Sequence, residues 1–105
     1  MSSPRFVPRS YSAQPDLFGK TMLMQWRALA EGSSDSVLDQ AAAARRQHKI
    51  AVEIRVAILA RHGSVKNYAE LHNIDYQRIS GVLRGQTLMR FEDVANAERN
   101  LGLAL

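Results

Sequence analysis

Apolar residues recur along this chain mostly at intervals of three and four, the period of an α-helix. Phe18, Met22, Trp26 and Leu29 form one such stripe and predict an amphipathic helix over residues 17–30, with Gly32 as its stop. From Ser36 to His62 neither Gly nor Pro interrupts a second, longer helical pattern. Ser34 or Asp35 would cap it and Gly63 would end it. Its second half is apolar on two sides. Ile50, Ile54, Ala57 and Ile58 form one stripe; Val52, Val56 and Leu59 form another on roughly the opposite flank. One stripe can face the domain's own core, and the other needs a separate cover. The Phe18–Leu29 stripe, from the same chain or a sister chain, can supply it. Phe18, Met22, Trp26, Leu29, Val52, Val56 and Leu59 are therefore the candidate contacts of a homodimer.

The last third of the chain breaks into three short helices. Ser64 caps "VKNYAELH", and Asn73 follows where the chain must turn sharply, a residue that tolerates the left-handed conformation. Asp75 caps "YQRISGVLR", and Gly85 stops it. After the loop "QTLMR" comes "FEDVANAERNL", with Phe91, Val94, Ala97 and Leu101 at core spacing and Gly102 as stop. Tyr68 is expected in the core, and His72 partly buried or at a helix end. Residues 1–16 hold all three prolines and show no periodicity, so they read as a flexible arm in which Arg5 and Arg9 could touch phosphates, a solvated tail being the preferred reading. The expectation is an all-α chain in three parts: arm 1–16, helical extension and dimerisation element 17–47, and a compact domain over 48–105.

Composition narrows the function by exclusion. With no cysteine there is no disulfide or thiolate metal site, and a reducing cytoplasm fits. His48, His62 and His72 lack ligand-like spacing, so no metal is expected. No apolar run approaches a membrane span and the N-terminus does not resemble a signal peptide. No nucleophile–base pair, paired-carboxylate motif or phosphate-binding glycine loop is visible, so neither enzymatic activity nor a small-molecule cofactor is expected. Glu92 and Asp93 suit the positive end of the helix they begin. The net charge of +4 hints at a polyanionic partner. Its placement tempers the hint: residues 1–62 carry nine Lys/Arg against five Asp/Glu, whereas residues 63–105 carry five of each. The basic run Arg45, Arg46, His48 and Lys49 reads as a solvated face.

The helix over 76–84 carries the most specific chemistry. At about 100° per residue, Tyr76, Gln77, Ser80, Gly81 and Arg84 share one side, and Ile79, Val82 and Leu83 share the other. Gln pairs bidentately with adenine and Arg with guanine, and Ser bonds base edges or phosphate. An interior glycine costs about 1 kcal/mol relative to alanine. Gly81 therefore needs either a packing reason or a partner that comes close to the backbone, and its place on this face favours the partner. A plain solvated face explains the remaining residues equally well.

Residues 64–102 resemble the lambda-repressor-like helix-turn-helix family of the Cro and phage-repressor type. Counting Val65 as first, the positions where that family has alanine, glycine and three aliphatics hold Ala69, Asn73, Ile74, Ile79 and Val82. "RISGVLRG" and "FEDVANAERNLGL" resemble the end of its recognition helix and the helix after it. Asn73 departs from the usual glycine, and Val65 from a glutamine that often supports phosphate and base contacts. The resemblance implies a recognition helix in the major groove, with Tyr76, Gln77, Ser80, Gly81 and Arg84 facing DNA. It also implies phosphate contacts from Lys66 and Asn67 and from Gln86 and Arg90. Arg78 borders the core face, where a salt bridge or a peripheral phosphate contact is expected. The function implied is a sequence-specific transcriptional regulator, cytoplasmic or nucleoid-associated, that binds double-stranded DNA as a homodimer. A protein-interaction or assembly module built on the same fold, such as a phage packaging component or adaptor, is the alternative.

Overall fold

Three helices of this protein begin in the same way, with a short polar side chain folded back onto the first turn. Ser34 Oγ accepts from Val37 N–H at 3.2 Å, Ser64 Oγ from Asn67 N–H at 3.0 Å, and Asp75 Oδ1 from Gln77 N–H at 2.9 Å. Each satisfies a donor that a helix start would otherwise leave without a partner. A computed structural model describes residues 6–105. It contains α1 (Asp35–His62), α2 (Val65–Leu71), α3 (Tyr76–Leu83) and α4 (Phe91–Leu101), with no strand among the described residues. Gly63 and Gly102 end α1 and α4 in the left-handed conformation. Asn73 is the non-glycine residue held at positive φ, 53°, in the turn between α2 and α3.

α1 is the spine. Its 28 residues, rising about 1.5 Å each, account for most of the 46 Å long axis of the molecule. Ile54 and Ile58 point into a core with Tyr68, Ala69, Ile79, Leu83, Ala97 and Leu101, while Ile50 and Ala57 pack at its edge. This is the first of the two stripes expected on α1, and α2, α3 and α4 all rest on it. No helix among the described residues is long and apolar enough to cross a membrane.

The N-terminal third departs from expectation. Residues 17–30 form no α-helix. Short 3-10 turns at Pro8–Tyr11 and Pro15–Leu17 lead into an extended segment that returns antiparallel to the first turn. Ala13 N–H donates to Gln25 O at 2.9 Å and Arg27 N–H to Tyr11 O at 2.9 Å. Burial there alternates: Met24 is buried and Trp26 half-buried, while Leu23, Gln25 and Arg27 are exposed. Residues 6–16 are likewise folded onto the domain rather than forming a free arm: Pro8 and Ser12 are buried, and Arg9 N–H donates to Gly85 O at 2.9 Å. Arg5 lies outside the described residues.

Glycine explains why a helix yields to this arrangement. At φ +72° a Cβ on Gly19 would stand 1.9 Å from the Leu83 carbonyl oxygen. Only a residue without a side chain lets the segment lie flush on the end of α3. Gly19 N–H donates to His48 Nδ1 at 2.9 Å, which puts the imidazole proton on Nε2, facing Met22 O at 3.4 Å. Phe18 fills the space left by Gly85, stacking edge-on against His48 and Trp26, and Arg45 lies over the Trp26 ring. The segment thereby covers His48 and Ala51. α1 is covered from within the chain on this side, leaving Val56 and Leu59 exposed.

Candidate nucleic-acid interface

α3 presents two faces because its aliphatic residues are committed. Ile79, Val82 and Leu83 are buried, and Tyr76, Gln77 and Arg84 are exposed, with Ser80 half-buried between them. Asp75, the carboxylate nearest the face, spends Oδ1 on the Gln77 and Arg78 amides. Arg78 turns away into an ion pair with Asp93 at 2.5 Å, the one ion pair among the described residues. Asp93 also accepts from Arg90 N–H at 2.7 Å, so a single carboxylate joins α3 to the start of α4.

Gly81, expected on the open face, is buried. An added Cβ would meet Thr87 Oγ1 at 3.3 Å, and the Gly81 carbonyl accepts from the amides of Gln86 and Thr87. The missing side chain makes room for the protein's own loop over residues 84–90. Gln47, 4% exposed on α1, completes the clamp on that loop. Its Nε2 donates to Val82 O and Thr87 O, each at 2.9 Å, and its Oε1 accepts from Met89 N–H at 2.8 Å. Sequence reasoning missed Gln47, because nothing in the spacing of a polar residue on a long helix reveals backbone partners so far along the chain.

The other expected contacts gather in two open grooves beside α3. Lys66 and Tyr76 line one of about 680 Å³ with Glu70, Asn73 and Ile74. Arg78, Gln86 and Arg90 line another of about 340 Å³ with Phe6, Thr87 and Leu88. Asn67 is already occupied: its amide is held by Ser64, and its Nδ2 donates to His62 O at 3.1 Å. Tyr68 is fully buried beside His62 and His72, as its apolar position suggests. Phe91 departs from its expected core position and is 93% exposed.

At the far end of α3 the N-terminal segment adds residues that no periodicity pointed to. Arg9 and Lys20 share a cleft with Arg84, Phe18, Pro15 and Asp16. Arg55 of α1 reaches the same region, and its Nε donates to Gly19 O at 3.0 Å. Burial holds the Arg55 guanidinium below its ordinary pKa, the nearby charge of Arg84 lowers it further, and Tyr76 acts in the opposite direction. Arg55 therefore lies near enough to Arg84 and Tyr76 for their charges to act on it.

Of the candidate dimer contacts, Phe18 and Val52 are buried within the chain and unavailable to a partner, and Trp26 is half-buried. Met22, Leu29, Val56 and Leu59 remain exposed. Comparison of the chain with protein-family models, with curated proteins and with solved structures returns no match.

Proposed function

We propose that the protein is a sequence-specific DNA-binding regulator, with α2 and α3 acting as a helix-turn-helix and α3 lying in the major groove. The exposed edge of α3 carries this reading. Tyr76, Gln77 and Arg84 offer side-chain donors and acceptors that no ion pair or side-chain hydrogen bond consumes among the described residues. Gln and Arg are the side chains that pair bidentately with adenine and guanine. Lys66 on one flank and Gln86 and Arg90 on the other stand where duplex phosphates would pass. A homodimer on a roughly palindromic site is part of the proposal, with half-sites about 34 Å apart. Exposed Val56 and Leu59 are its contact candidates.

Selection of bound duplexes from a random pool, with the oligomer mass measured alongside, tests this directly. On the selected site, Gln77→Ala or Arg84→Ala should lose about 1–3 kcal/mol and relax specificity. Lys66→Ala should weaken all sequences nearly equally. Wild-type affinity in all three variants would show that the face is misassigned.

A second reading, an assembly module that holds another protein, is favoured by one observation. Phe91 and Leu88 expose apolar surface beside the α3 flank. Salt separates the two. Binding through about 6–10 phosphates weakens by roughly 10³–10⁵ between 50 and 200 mM salt, whereas an apolar contact does not.

A further inference from the structure

We propose that the folded N-terminal segment is a second phosphate-contacting element, in which Arg9 and Lys20, beside Arg84, hold the duplex backbone flanking the bases that α3 reads. The proposal rests on the DNA-binding reading above and adds to it a surface outside the α2–α3 unit.

Four cations meet at this corner: Arg9, Lys20, Arg55 and Arg84. Asp16 is the carboxylate lining the same cleft, and it forms no ion pair with any of them among the described residues. Four like charges gathered about a single carboxylate still repel one another on balance, and a polyanion relieves that repulsion. The half-buried Arg55 is held below its ordinary pKa first by burial and then by the charge of Arg84, so these two cations act on each other.

The backbone that carries two of these cations is fixed in advance. Arg9 N–H is bonded to Gly85 O, and Gly19, next to Lys20, is held by His48 Nδ1, by Arg55 Nε and by its fit against Leu83. Binding therefore orders side chains but no main chain, which lowers the entropy lost on association. The cleft between the cations measures only about 20 Å³, room for about one water. It cannot enclose a free phosphate ion. A polymer backbone lying across the surface can reach several of the cations at once.

The test is the salt dependence of duplex binding by the full chain, on the selected site and on an unrelated duplex. Arg9→Ala with Lys20→Ala should flatten the log–log salt slope by about two, since each phosphate contact contributes roughly 0.9. Affinity should fall about tenfold or more on both duplexes, and inorganic phosphate alone should show no saturable binding. Arg99→Ala, which removes a charge from exposed α4 surface, should leave the slope unchanged. If the alanine pair lowers the unfolding midpoint, Arg9→Gln with Lys20→Gln repeats the measurement with side-chain bulk retained. Binding by the wild-type chain with an unaltered slope in the double variant would overturn this proposal alone. Absence of salt-dependent duplex binding by the wild-type chain would overturn the DNA-binding reading and this proposal together.

Discussion

Replacing Gln47 by methionine keeps the length of the side chain and removes every polar atom from it. Three hydrogen bonds disappear: those to Val82 O, Thr87 O and Met89 N–H. At a net contribution near 1 kcal/mol each, the loss is about 3 kcal/mol. Val82 O keeps a partner in Gly85 N–H at 3.3 Å. The Thr87 and Met89 groups lie near enough to the surface for water to reach them. These two facts reduce the expected loss to about 2–3 kcal/mol. Urea unfolding should show a lowered midpoint with an unchanged slope, because the surface exposed on unfolding stays the same. The Met89 amide, which loses its acceptor, should exchange faster with solvent, as should the Gln86 and Thr87 amides that bond Gly81 O. Gln47→Glu keeps the acceptor for Met89 but loses both donors and buries a charge, so it should destabilise more than methionine at neutral pH. A methionine variant within about 1 kcal/mol of wild type would refute the clamp.

Two further substitutions test the glycines. Gly19→Ala places a Cβ 1.9 Å from Leu83 O at φ +72°; the left-handed conformation alone costs about 1–2 kcal/mol, and the clash should release the segment. Proteolysis within residues 6–30 should accelerate while α4 stays protected, and a wild-type cleavage pattern would argue against docking of the segment on α3. Gly81→Ala meets Thr87 Oγ1 at 3.3 Å, which offsets a helix-propensity gain of about 1 kcal/mol. Stability should change by less than about 1 kcal/mol and affinity for the selected duplex by less than about twofold; a tenfold loss of affinity would return Gly81 to the interface.

Local chemistry was legible in the sequence wherever a residue acts on its neighbours. Ser34, Ser64 and Asp75 start helices, Gly63 and Gly102 end them, and Asn73 turns the chain, each through contacts within a few residues. The same holds for the two faces of α3, which follow from period alone. The spacing over residues 17–30 predicts a helix, yet Met24 and Trp26 also fit a period of two, and the deciding contact is made with Leu83 at the end of α3. Helix propensity is a weak prior that such packing overrides. Gly81 misled for a related reason: its angle on the helix was right, but the loop that covers it comes from farther along the chain. Phe91 has core spacing, yet α4 is buried at Ala97 and Leu101, and its first residue projects past the core.

Charge shows most clearly why a segment-by-segment sum is a poor guide to a surface. The neutral balance of residues 63–105 suggested a face with little pull on a polyanion. In the folded chain two of its five acids are committed to other work. Asp75 caps α3, and Asp93 neutralises Arg78 and holds the Arg90 amide. Glu70, in the groove with Lys66, is the acid that lines either groove beside α3. Meanwhile Arg9, Lys20 and Arg55, all drawn from the basic half, stand beside Arg84 at the end of the exposed face. The surface at the end of α3 therefore holds more cations than its own stretch of sequence implies, because Arg9, Lys20 and Arg55 arrive from a distant segment with Asp16 as the carboxylate lining their cleft. That arrival depends on Gly19 and Gly85, the two glycines that let Phe18 and its neighbours lie against the end of α3. A substitution that undocks the segment should therefore change the electrostatics of the face without altering any residue of α3.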